Sequence, residues 1–144
     1  MNESAAEKAE YGTWVSSRLV FVPGLIGLLF AGLSFLLPAL GVIAAVFLLC
    51  SLYLAYARRL FSPRGRNIQV RIQDLLLDRM SDWDGVGKVL DIGCGNGALT
   101  IQIAQRHPQA QVVGIDYWGK GWEYSKSVCD RNAALEGVTR QVHF

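Results

Sequence analysis

Apolar and polar positions divide the chain into two stretches of different character. From Leu19 to Ala57 no Asp, Glu, Lys or Arg interrupts an apolar run. A spanning helix needs about 20 apolar residues. One helix through the whole run would be about 58 Å long, well beyond a hydrocarbon core of about 30 Å. Two segments, Leu19–Leu37 and Ala39–Ala57, fit that thickness better. Pro38 lies between them with Gly32, Ser34, Ala39 and Gly41 nearby, which suits a tight turn. The pattern therefore predicts an N-terminal transmembrane helical hairpin. Pro23, near the start of the first segment, suits a first helical turn or a kink.

After the hairpin the periodicity changes. Ile68, Ile72, Leu75 and Leu76 recur at helical spacing within Asn67–Met80, with Arg71, Asp74, Asp78 and Arg79 elsewhere around the wheel, so an amphipathic helix is expected. Val89, Leu90 and Ile92 form a short apolar run suited to a buried parallel strand. Helical spacing resumes over Ala98–Arg106 and stops at His107-Pro108, and a second strand-like run covers Gln111–Ile115. This order is a βαβ unit, which builds a parallel pair. Trp122–Glu136 reads as a further helix closed by Gly137, and Thr139–Phe144 as the start of a third strand. The expected fold class is α/β, in four stretches. These are a tail over residues 1–18, two transmembrane helices over 19–57, a basic linker with an amphipathic helix over 58–87, and a partial α/β domain over 88–144.

Composition sharpens this division. The chain is 51% hydrophobic and only 18% charged, with a mean hydropathy of +0.26; soluble domains carry about 25% charged residues. A fully soluble protein, a disordered chain and a disulfide scaffold are excluded. A signal peptide is excluded too, because Glu3, Glu7 and Glu10 outweigh Lys8 and Arg18 in the leading segment, and the apolar run is too long. Arg58, Arg59, Arg64, Arg66 and Arg71 crowd the far end of the hairpin and mark it as the cytoplasmic side. A hairpin returns the N-terminus to the same face. Trp14, Tyr53 and Tyr56 are placed like interfacial aromatics. The expected location is therefore a membrane crossed twice, with the soluble part in the cytoplasm and the lipid bilayer as partner.

The net charge of +2 is not gathered into a basic stripe with interleaved aromatics, so no nucleic-acid partner is expected. Cys50, Cys94 and Cys129 form no CxxC pair and His107 and His143 are isolated, so no metal site is expected either. Cys50 and Cys129 read as small hydrophobes, and Cys94 as a small spacer without a neighbouring base.

The chemistry concentrates where the first strand ends. Gly93, Gly95 and Gly97 let a ligand approach the backbone, since no Cβ stands in the way, and the following helix offers free N–H groups. Asp116, closing the second strand, is placed to accept from two ribose hydroxyls. Gly93-x-Gly95-x-x-Ala98 formally satisfies the dinucleotide fingerprint, which leaves an NAD-dependent enzyme as an alternative. Asp91, two positions before the first glycine, argues against it: a pyrophosphate would bring negative charge toward that carboxylate. S-adenosylmethionine brings a sulfonium and an ammonium instead, which an adjacent acid suits.

VLDIGCGNG (Val89–Gly97) resembles the first motif of class I S-adenosylmethionine-dependent methyltransferases, and VVGIDYW (Val112–Trp118) resembles their acidic second-strand motif. DYWGKGWEYSK and NAALEGV (Asn132–Val138) are similar to a bacterial and archaeal subgroup. The resemblance covers Lys88–Phe144 and implies a Rossmann-like methyltransferase domain with S-adenosylmethionine as cofactor. It implies that Gly93, Gly95 and Gly97, with the Cys94 and Asn96 backbone, line the methionine end of the donor. By the same resemblance, Asp91 sits near the donor's amino group, Asp116 holds the ribose, and Tyr117 or Trp118 lies against the adenine. Trp118 and Trp122 read equally well as core or lid aromatics.

Later family elements, including a third-strand acidic motif and the acceptor site, would follow Phe144. The chain accordingly reads as a fragment of a membrane-anchored methyltransferase, with catalytic residues and methyl acceptor unassigned. A non-catalytic or vestigial membrane protein with a nucleotide-binding module is the other alternative.

Overall fold

A computed structural model describes residues 7–119 and 123–144. The elements are α1 (Ser17–Leu33), α2 (Leu40–Phe61), α3 (Ile68–Arg79), β1 (Gly87–Ile92), α4 (Ala98–Arg106), β2 (Ala110–Ile115), α5 (Lys126–Leu135) and β3 (Val142–His143). They fall into two compact units, one of Thr13–Ile72 and one that joins the N-terminal segment up to Gly12 to Gln73–Phe144.

The first unit is a helical hairpin. Ser16 caps α1, its hydroxyl accepting from the Arg18 N–H at 3.2 Å. Pro23 lies inside α1. The two helices approach closely where residues are small. Ser51 donates to the Val20 carbonyl at 2.8 Å, and a Cβ on Gly27 would stand 2.8 Å from Leu48 Cγ. Phe30 and Phe47 stack nearer the turn, with ring centroids 6.3 Å apart. Pro38 sits in the turn, as its position suggested. The boundaries shift: α1 ends at Leu33 instead of Leu37, and α2 runs on to Phe61 past Arg58 and Arg59. Those arginines stay helical because cations at a helix C-terminus face unpaired carbonyls.

The expectation of two spans is met only in part. α2, 22 residues long with a hydropathy of 2.3, is long and apolar enough to cross a membrane, while α1 is a shorter apolar helix of 17 residues.

In the second unit three parallel strands lie in the order β1-β2-β3. β1 and β2 pair from Gly87 with Ala110 to Ile92 with Ile115, and Val112 pairs with Val142. β2 alternates: Ala110, Val112 and Gly114 are buried, while Gln111 and Ile115 are exposed. One sheet face packs on Ile101, Ile103 and Ala104 of α4, Ala133 of α5 and Leu77 of α3. The other face leaves Leu90 56% and Ile92 75% exposed.

Two expectations are corrected here. The helix expected over Trp122–Glu136 begins at Lys126, because Ser125 caps it by accepting from the Val128 N–H; Trp122 itself lies outside the described residues. The strand expected over Thr139–Phe144 is paired only at Val142–His143, since Gln141 and Val142 donate back to the Val138 carbonyl in a turn.

Candidate functional site

The loop from Gly93 to Gly97 is held from both sides by hydrogen bonds that sequence-distant residues provide. Below it, the Ile115 carbonyl accepts from the Gly93 N–H at 2.7 Å and the Cys94 N–H at 3.1 Å. The loop thus turns over the end of β2. Gly93, Gly95 and Gly97 all have positive φ, the left-handed region that side chains rarely adopt. A Cβ on Gly93 would meet nothing within 4 Å, so the backbone there faces open space. On Gly97 it would meet the Phe144 ring at 2.7 Å. Gly97 passes directly into α4 with no side-chain cap.

Asp116 stands across from this loop. Its Oδ2 accepts from the Gly95 N–H at 2.8 Å and its Oδ1 from the Trp118 N–H at 3.3 Å. A carboxylate has about four acceptor positions, so two backbone donors leave capacity for ligand hydroxyls. Asp116, Tyr117, Ile115, Ile92 and Gly93 line a cleft of about 390 Å³ at the carboxyl ends of β1 and β2. That size is within the range of small-molecule sites, roughly 300–1,000 Å³.

Asp91 is oriented differently. Being an odd step along β1, it shares the face of Val89 and turns toward α4. There its Oδ2 accepts from the Thr100 hydroxyl at 2.6 Å. Asp91 is not among the residues lining the cleft. The two aromatics part in the same way. Tyr117 is 88% exposed and lines the cleft, while Trp118 adopts a positive φ of 43° and donates from Nε1 to the Gly95 carbonyl at 2.9 Å.

Sequence reasoning missed four residues that organise the loop. Thr100 is fully buried and fixes Asp91. Ser125 donates its N–H to Asn96 Oδ1 at 3.2 Å, joining α5 to the loop. The Cys129 thiol donates to the Gly95 carbonyl at 3.1 Å, so this cysteine is a loop contact besides a small hydrophobe. Asn132, fully buried, donates to the Asn96 carbonyl at 3.0 Å and to the Glu10 carbonyl at 2.9 Å, and accepts from the Glu10 N–H at 2.9 Å. An Asn between Arg131 and two alanines in a helix was the available signal, since a polar residue of low helix propensity on an apolar face needs partners.

The Asn132 contacts bring residues 7–12 onto this unit. Tyr11 donates to Glu136 Oε1 at 3.2 Å, and Arg131 lies 3.4 Å from Glu10 and 3.6 Å from Glu7. Burial and the Glu136 carboxylate both push the Tyr11 hydroxyl up from its ordinary pKa. The hydrogen bond with Cys129, then burial, push the Cys94 thiol up, which keeps it protonated near neutral pH and unsuited to nucleophilic chemistry.

Residues 84–144 match a family described as Methyltransferase domain. Among curated proteins, Methyltransferase ungE' of Aspergillus campestris is 39% identical over 59 residues, covering 41% of this chain and 16% of that protein. The ribosomal RNA large subunit methyltransferase G of Magnetococcus marinus is 40% identical over 57 residues, 40% of this chain and 14% of that protein. A tRNA (guanine-N(7)-)-methyltransferase of Mycolicibacterium gilvum is 42% identical over 48 residues, 33% of this chain and 18% of that protein. The chain thus spans less than a fifth of each of these relatives.

Proposed function

We propose that residues 84–144, which match a family described as Methyltransferase domain, form the donor-binding part of a class I S-adenosylmethionine-dependent methyltransferase that this chain anchors at a membrane. The observation that carries the reading is the cleft where Asp116, Gly93 and Tyr117 meet. Asp116 would hold the ribose hydroxyls, the open backbone at Gly93 the methionine end, and Tyr117 the adenine face. Cys94, Asn96 and Gly97 shape the loop from behind, and Asp91 contributes negative charge beneath it, with Thr100 fixing its position.

When bound, S-adenosylmethionine supplies a methyl group on a sulfonium centre. The protein's part is binding and orientation. Two carboxylates around the loop favour a cationic donor over a pyrophosphate. The methyl acceptor is proposed to bind to parts of the protein other than residues 84–144; the substrates named by the relatives differ among themselves.

The anchor is the α1–α2 hairpin. Its support is outward apolar surface, including Phe21, Leu25, Val42 and Leu52, each more than 60% exposed, with only 6% of the apolar window of α2 buried. A core helix of a soluble protein would have those side chains covered. No acidic residue occurs between Glu10 and Asp74, and Arg59, Arg64, Arg66 and Arg71 are exposed beyond the C-terminal end of the hairpin, which supports a cytoplasmic position for that end.

Calorimetric titration of the full chain in detergent with S-adenosylmethionine tests the reading. Binding is expected in the native chain and about tenfold or more weaker in Asp116→Ala, from lost hydrogen bonds to a charged group. Native affinity for NAD with none for S-adenosylmethionine would replace the methyltransferase reading.

A further inference from the structure

The turn between α1 and α2 is apolar, outward-facing and hydrogen-bonded to itself. Phe35 is 92% exposed, Leu36 84% and Leu37 55%. A turn returning through water would expose Gly, Asn, Asp or charged residues at such positions. This one has no charged residue, and its polar side chain, Ser34, donates to the Ala31 carbonyl at 2.7 Å.

The backbone follows the same rule. Ser34 N–H donates to the Phe30 carbonyl at 2.9 Å, Phe35 to Gly32 at 3.4 Å, and both Leu36 and Leu37 to Leu33 at 3.0 and 3.1 Å. Pro38 has no N–H to satisfy. Beyond it, Leu40 donates to Leu37 and Gly41 to Pro38, at 3.0 and 2.9 Å, which leaves the Ala39 N–H as the one donor of the turn without an internal partner. Internal pairing of most donors suits hydrocarbon, where an N–H has no water to turn to.

Length argues in the same direction. From Leu19, the first residue after Arg18, α1 rises about 23 Å to Leu33, and α2 falls about 27 Å from Leu40 to Ala57, the last residue before Arg58. Neither apolar length exceeds a core of about 30 Å, and an average tilt shortens both. With Arg18, Arg58 and Arg59 held at the headgroups, these lengths put the tip near the far edge of the hydrocarbon.

We propose that the hairpin enters from the arginine-bearing face and that its tip, Phe35-Leu36-Leu37, stays inside the hydrocarbon without emerging. Both helices then lie in the bilayer, but the chain has no exposed loop on the far side. This rests on the membrane-anchor reading above and replaces the sequence-based expectation of two complete spans.

The test is labelling of single introduced cysteines in the full chain by a membrane-impermeant maleimide. Membrane vesicles of both orientations are used, and the labelled peptide is read by mass spectrometry so that Cys50, Cys94 and Cys129 remain in place. The sites are Leu36→Cys at the tip and Ser62→Cys beside the arginines, with Phe35→Cys as a second tip site should the first disturb the turn. Carbonate extraction reports anchoring independently.

The expected result is a chain that resists extraction, labels at Ser62→Cys in one orientation, and labels at the tip at least roughly tenfold less in either orientation until detergent is added. Tip labelling in the orientation opposite to Ser62→Cys means a crossing hairpin: it overturns this inference and leaves the anchor standing. Tip labelling in the same orientation as Ser62→Cys, with release by carbonate, overturns the anchor as well.

Discussion

The Thr100 hydroxyl donates to Asp91 Oδ2 at 2.6 Å, so the acid that precedes the glycine loop is fixed by the first turns of the helix that follows it. One buried hydroxyl thereby joins both ends of the loop. The geometry makes Thr100 a positioning residue for the proposed donor site. Thr100→Val keeps the shape and removes the donor. About tenfold weaker S-adenosylmethionine binding is expected in calorimetry, the loss of one hydrogen bond to a charged acceptor. Thr100→Ser should retain most of the affinity, because it keeps the hydroxyl. Equal binding by all three proteins would show that Asp91 needs no such support.

Asn132 is the corresponding post on α5. Its side chain makes three hydrogen bonds, two with Glu10 and one with Asn96. Replacing it with Leu leaves the Glu10 and Asn96 backbone groups unpaired, for an expected loss of about 2–4 kcal/mol in urea unfolding. Glu10→Pro removes the N–H that Asn132 accepts, together with the exposed carboxylate beside Arg131. It should cost about 1 kcal/mol and raise hydrogen exchange in residues 7–12 before it does so in β1 or β2.

The end of the chain reaches back to the loop through one ring. A Cβ on Gly114 would stand 2.8 Å from Phe144 Cδ1 and Cε1 and 2.9 Å from Thr100 Oγ1. Gly114→Ala should therefore destabilise by about 1–3 kcal/mol, the usual cost of overpacking. Combined with Phe144→Ala in a double-mutant cycle, it should show a coupling of about 0.5 kcal/mol or more. Strict additivity would mean that Phe144 does not lie over Gly114.

Alkaline pH should loosen the N-terminal segment. Burial and Glu136 raise the Tyr11 pKa in the folded protein, so folding favours the protonated phenol. Its contribution is fully present below the unfolded tyrosine value of about 10 and is lost as pH rises beyond it toward the higher folded value. Urea midpoints measured from about pH 9 to pH 11 should fall with pH in the native chain and fall less steeply in Tyr11→Phe. Parallel slopes would exclude Tyr11 as the source.

Hydrophobic periodicity made the elements legible because burial imposes it locally. The uncharged run from Leu19 to Ala57 foretold two apolar helices with Pro38 between them, and Val89–Ile92 and Gln111–Ile115 foretold β1 and β2 within two residues. The three glycines and Asp116 could be singled out for a similar reason: positive φ and a strand-end carboxylate are requirements of single positions.

What the sequence left open depended on partners far along the chain. No local pattern says that Asn132 meets Glu10, that Asp91 turns to Thr100 while Tyr117 faces the cleft, or that Trp118 lies under Gly95. A hydrogen bond needs its two groups within about 3 Å, and only tertiary packing sets that distance. The turn of the hairpin illustrates both halves. Its sequence fixed its apolarity, whereas the inward pairing of its N–H groups was decided by how Leu33 and Pro38 fold the backbone.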